Sequence, residues 1–138
     1  MTALQLIDTN TEAFVPSAIS DEEGGALFRA VLNLFGKWGV SDEQAAVLLD
    51  VPLCSYRRWK AAGGAGRLDR DTKARLSNLV GIHKALRYMF SELEQVYAWV
   101  GKPNTAFAGK SALQVMLGGE LTDVMRVRRY LDAERGAW

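Results

Sequence analysis

The sequence predicts an all-α protein, and three observations lead there. Ser is followed three residues later by Glu or Gln at Ser20–Glu23, Ser41–Gln44, Ser91–Glu94 and Ser111–Gln114. This is the capping-box pattern, in which the hydroxyl accepts from the N3 amide and the longer side chain returns to the cap amide. Each pair opens a run whose apolar residues recur at the helical period. Strand-period alternation of useful length is absent, and so is any internal repeat.

The first helix is expected from about Asp21 to Lys37. Leu27, Val31, Leu34 and Trp38 form its stripe, widened by Phe28, Leu32 and Phe35, and Gly39 stops it. A short helix from about Asp42 to Leu49 follows, then one from Pro52 to about Ala62, with Gly63, Gly64 and Gly66 as a flexible connection. A long helix is expected from Asp69 or Arg70 to Phe90. Its buried face holds Leu76, Leu79, Val80, His83, Leu86 and Phe90, which makes His83 a core or half-buried side chain rather than a ligand or base. Helices over Glu92–Val100, Ala112–Leu117 and Thr122–Glu134 complete the chain. Gly101-Lys102-Pro103-Asn104 and Gly118-Gly119 supply the turns between them.

With 138 residues, 49% of them hydrophobic and 24% charged, the chain can bury a core. One Cys (Cys54) excludes an internal disulfide, and one Cys with one His cannot assemble a Cys/His zinc site. Met1 to Val15 has no basic residue before an apolar stretch, and the longest apolar run, Ala45 to Leu49, is far short of the ~20 residues that span a bilayer. A soluble, cytoplasmic protein without membrane attachment is the expectation. The net charge of +1 conceals a gradient. Residues 1–40 sum to −3, 41–75 to +2 and 76–138 to +2, and within 57–75 seven basic residues face only Asp69 and Asp71. A basic centre of this kind is what a local nucleic-acid footprint looks like, although a solvated helix face with scattered Arg has the same composition.

That centre coincides with helix-turn-helix spacing over Gln44–Ala61. Ala46 is small where a second helix must pack closely. Asp50 takes the turn position where Gly is usual, and Asp is one of the few other residues that tolerate αL. Val51, Tyr56 and Trp59 are expected to face inward, with Cys54 a small filler. This leaves Leu53, Ser55, Arg57, Arg58 and Lys60 as candidate DNA-binding residues. Arg suits bidentate contact with guanine in the major groove, and Lys60 and Ser55 suit phosphates. Catalysis is not expected. Gly109-Lys110-Ser111 opens a helix like the end of a phosphate-binding loop, but Asn104 stands where that loop needs Gly. A Ser or Cys nucleophile would want a His base, and the sole His lies on an apolar stripe.

The second half has a more specific pattern. It comprises Trp99, Pro103-Asn104, Phe107, Gly109, Ser111, Leu113, a Gly118-Gly119-Glu120 break and an Arg-rich helix ending in Leu131-Asp132. It resembles the toxin-binding domain of Xre/MbcA/ParS-type antitoxins. Val51 through Tyr56-Arg57-Arg58-Trp59-Lys60 resembles the Xre-type helix-turn-helix of the same antitoxins, and the two stretches cover about 90 residues in the expected order. Ala108 departs from a common second Gly, Ala112 from a common Pro, and Asp50 from the usual Gly of the turn.

The resemblance implies a type II antitoxin: an arm over 1–19, a helix-turn-helix domain over 20–75 and a helical toxin-binding domain over 76–138. The implied partners are a RES-domain toxin that consumes NAD, operator DNA and a second copy of the chain as a homodimer, with no cofactor. The implied toxin-binding residues are Trp99, Asn104, Phe107, Arg126, Arg129 and the end Arg135-Gly136-Ala137-Trp138. That end is expected to obstruct the toxin's active site. The alternative is a stand-alone regulator whose C-terminal module dimerises or senses a ligand.

Overall fold

The computed structural model describes residues 18–136, and its regular elements are all helical. In chain order they are α1 (Asp21–Trp38), α2 (Asp42–Leu49), α3 (Leu53–Ala62), α4 (Arg70–Met89) and α5 (Leu93–Ala98). Single 3-10 turns follow at Trp99–Gly101 and Thr105–Phe107, then α6 (Ala112–Met116) and α7 (Leu121–Gly136). Three of the four capping boxes form as expected, at Ser20, Ser41 and Ser111. The Ser91–Glu94 box does not form. Phe90 leaves α4 with extended φ/ψ, and Glu92 is the cap residue of α5 without a side-chain hydrogen bond. The helix therefore starts one residue late, and Glu94 falls at N2, where it cannot close the box.

The 20-residue α4 is the spine. It packs against α1 on one side and α7 on the other, and also touches α2 and α5. Phe28, Val31, Leu48, Leu49, Tyr56, Leu76, Leu79, Ile82, Leu86, Val96, Val124, Val127 and Leu131 belong to one continuous apolar cluster. Tyr56 and Trp59 face inward as the spacing predicted, each meeting the edge or face of Phe28 at 6.4 and 6.0 Å between ring centroids.

Arg75 joins the helix-turn-helix to the spine. Its side chain is 3% exposed, and Nη1 donates to the Leu48 carbonyl at 3.2 Å. That oxygen is one of the last carbonyls of α2, which have no partner within their own helix. Nε donates to Asp71 at 2.7 Å, and Nη2 lies 3.9 Å from the Asp50 carboxylate. Asp50 adopts αL (φ 53, ψ 53), as its place in the turn required. Further along, Gly81 is buried on α4 beneath the Arg128 guanidinium of α7. A Cβ at Gly81 would collide with that group. The helical pair Arg128–Asp132 is present at 3.3 Å.

His83 is half-buried and stacks on Tyr97 at 5.5 Å with 10° between the planes, which ties α5 to α4. Burial first, and then the positive charge of Arg87, hold the imidazole below its ordinary pKa.

Two predictions follow from these contacts. Arg75→Met keeps most of the side-chain volume but strands the Leu48 carbonyl, while Asp71 stays hydrated. It should cost about 1–3 kcal/mol in urea denaturation, and Arg75→Ala more, because packing is lost as well. For His83, the unfolded chain protonates near about pH 6.5 and the folded chain only at lower pH. Folding stability therefore falls as pH drops through about 6.5 towards the folded value, with no further loss from this group below it. Thermal melts across that range should show the decline, and His83→Gln should flatten its share of it.

Candidate functional site

Two surfaces collect the candidate residues. The first is built on α3, which starts after Pro52 without a side-chain cap. Leu53 is half-buried and packs on the core, Ser55 is half-buried, and Cys54, Arg57, Arg58 and Lys60 are exposed. The two helices of the motif therefore present one face with three cations on it.

Two of those cations are already engaged. Lys60 Nζ lies 2.9 Å from Asp42 Oδ1, Arg57 Nε 3.4 Å from Asp42 Oδ2, and Arg57 Nη2 3.2 Å from Glu43 Oε1. The hydrogen bond from Lys60, reinforced by Arg57, holds the Asp42 carboxyl below the ordinary carboxylate range. Asp42 in turn pushes the Lys60 ammonium up. Among the described residues no hydrogen bond or ion pair reaches Arg58. The spacing that identified the motif gave no sign of this asymmetry between adjacent arginines, because Asp42 and Glu43 lie 14 to 18 residues away.

The second surface is assembled by aromatic rings from three elements. Phe107 is 3% exposed and meets Tyr130 of α7 at 5.2 Å and Trp99 at 6.4 Å, both edge-on. Trp99 stacks on Tyr130 at 6.3 Å and 14°. Phe107 is thus the support of this surface, and half-buried Trp99 is at its border. Sequence reasoning missed Tyr130, the ring that joins the other two, because it sits in an Arg-rich helix of low apolar content.

Asn104 shapes the adjoining loop. Its side chain accepts from the Ala106 amide at 2.8 Å, its carbonyl accepts from Phe107 and Gly109, and its amide donates to the Lys110 carbonyl at 3.0 Å. An isolated bridge between Pro103 and Ser111 closes the loop. Ala108 adopts αL (φ 56), the conformation for which Gly would be the unstrained residue, and Gly109 follows at φ 85. At Ala108 this chain therefore holds a side chain in the left-handed conformation that Gly would adopt without strain.

Arg126 and Arg129 are exposed on α7, and the Arg126 guanidinium lies 5.5 Å from the Phe107 ring centre. Arg135 lies over the Tyr88 ring at 4.8 Å, and Gly136 is exposed. Ala137 and Trp138 lie outside the described residues. Elsewhere a cleft of about 390 Å³ opens between α1, α4 and α5, with Asn33, Lys37, His83 and Tyr97 in its lining. Among the described residues no cluster of three His, Cys, Asp or Glu could hold a metal ion, and no helix is long and apolar enough to cross a membrane.

Residues 17–81 match the antitoxin Xre-like helix-turn-helix domain, and residues 85–136 match the antitoxin Xre/MbcA/ParS C-terminal toxin-binding domain. The chain is also 41% identical over 112 residues to "Uncharacterized protein y4oB" of Sinorhizobium fredii (strain NBRC 101917 / NGR234), a match covering 80% of this chain and 85% of that protein. The α3 face lies in the first matched region, and the Trp99–Phe107–Tyr130 surface lies in the second. The chain belongs to the Xre/MbcA/ParS antitoxins: an all-helical, non-enzymatic protein with a helix-turn-helix domain followed by a toxin-binding domain.

Proposed function

We propose that the toxin bound by this antitoxin is a RES-domain protein that consumes NAD, that the chain silences it by obstructing its active-site cleft, and that a homodimer of the chain represses its own operon in the cytoplasm. The observation that carries this reading is the pairing, in one chain and in this order, of the two matched domains with the residues on which the resemblance rests. The reader is assigned to 20–75, with Leu53, Ser55, Arg57, Arg58 and Lys60 at the DNA. The toxin surface is assigned to 76–138, with Trp99, Asn104, Arg126 and Arg129 around the rim that Phe107 supports.

Exposed Arg beside half-buried aromatic rings supports that assignment, since Arg and Trp are enriched where interfaces concentrate their binding energy. Arg135, Gly136, Ala137 and Trp138 would then enter or cover the NAD cleft, and Arg135 would leave the Tyr88 ring to do so. A second reading, a stand-alone regulator that senses a small ligand, is favoured by the cleft beside His83 and Tyr97. The neighbouring reading frame separates the two: an adjacent gene for a toxin that co-purifies with this chain supports the first, and its absence supports the second.

The DNA claim is tested by titrating the DNA that precedes the chain's own reading frame. Arg58→Ala should weaken binding by about 1–3 kcal/mol and relax sequence choice, as should Arg57→Ala. Equal losses on an unrelated duplex would make both phosphate contacts. The toxin claim is tested by NAD consumption in the purified complex. Removing residues 136–138 should leave helical content and DNA binding unchanged and restore NAD loss. Full silencing at equal occupancy would move inhibition to the Trp99 surface.

A further inference from the structure

The reading face carries its own carboxylates. Asp42 and Glu43 occupy the first turn of α2, where unpaired amides and the helix dipole favour negative charge. In a helix-turn-helix docked on DNA, that end of the first helix lies near the backbone. Here the position already holds two anions, and they grip two of the three cations on the neighbouring face of α3. Asp42 is shared between Arg57 and Lys60, and Arg57 is shared between Asp42 and Glu43, so the four side chains form one network and not two isolated pairs.

We propose that Asp42 and Glu43 are internal competitors for DNA. They hold Arg57 and Lys60 against α2 in the free chain, and a duplex must displace them before α3 can read it. This rests on the DNA-reading half of the function proposed above.

The geometry suits such a latch. Both cations are more than half exposed, as is Glu43, so each ion pair is weak enough for a polyanion to exchange it. The Asp42 carboxyl, held below its ordinary range by those same cations, remains charged and keeps its hold on both. Arg58 has no competitor among the described residues and is available for first contact. The latch therefore sets a threshold. A sequence that offers Arg57 a base contact compensates for its release, whereas a phosphate backbone alone does so poorly. Asp42 and Glu43 thus set how tightly any duplex must bind before Arg57 and Lys60 are freed, although they need not touch a base.

The test uses the full chain and two duplexes, the DNA preceding its own reading frame and an unrelated sequence of equal length, titrated over a range of salt. Asp42→Asn combined with Glu43→Gln should tighten binding to the unrelated duplex by about three- to tenfold and steepen the logarithmic salt dependence by about one to two, because up to two more cations reach phosphates. The gain on the chain's own DNA should be at least as large but without the steeper salt dependence, because there the natural chain already releases the latch on binding. In an Arg57→Ala, Lys60→Ala background the gain should vanish, since no latched cation is left to release. Thermal melts confirm that each variant folds, and the two single neutralisations serve if the double variant does not.

A gain that persists without Arg57 and Lys60 would overturn the proposal in favour of a general field effect. Unchanged binding would overturn it too. Weaker binding would mean that the carboxylates aim Arg57 at DNA. If the natural chain binds neither duplex but the neutralised one does, the latch stands and is strong. If neither chain binds either duplex, the DNA-reading half of the proposed function fails and the latch fails with it.

Discussion

The fold depends on a single helix serving two masters. α4 supplies Leu76, Leu79, Ile82, Ala85 and Leu86 to one apolar cluster, and the helix packs against α1 and α2 of the first half and α5 and α7 of the second. Arg75 is the polar counterpart of that arrangement. A buried guanidinium is costly unless each donor is used. Its bonds to Leu48 and Asp71, with Asp50 nearby, make α4 and the turn between α2 and α3 mutually dependent. The two matched domains meet within this helix, at residues 81 and 85, so the boundary between them lies inside a continuous hydrogen-bonded rod and not in a linker.

What the sequence made legible was local. Caps, helical stripes, the αL turn at Asp50 and the inward Tyr56 and Trp59 all follow from residues within a few positions of one another. Such interactions have a fixed spacing that can be read without knowing the fold. The Ser91 box failed for a reason of the same scale: α4 ends in extended backbone at Phe90, and α5 takes Glu92 as its cap.

What escaped notice was long-range. Arg75 looks like one more solvated cation in a basic run, yet it is nearly inaccessible. The excess of basic charge over 57–75 is likewise smaller in space than along the chain. Arg57, Lys60, Lys73 and Arg75 all have carboxylate partners, and Asp42, Glu43 and Asp21 come from outside that stretch. Tyr130 and the Trp99–Phe107 pair join only when α7 folds back over the loop. Such groupings leave no period in the sequence to detect.

Because the cluster that α4 organises is continuous, the two halves share their resistance to unfolding. Cooperative units open together when buried contacts cross between them, and here those contacts run through the middle of one helix. A protease that gains access by fraying α4 would expose the helix-turn-helix and the toxin-binding surface at once. Loss of one activity would therefore accompany loss of the other. For an antitoxin this means that its grip on the toxin and any grip on DNA would share one lifetime, set by the slowest-opening turn of α4.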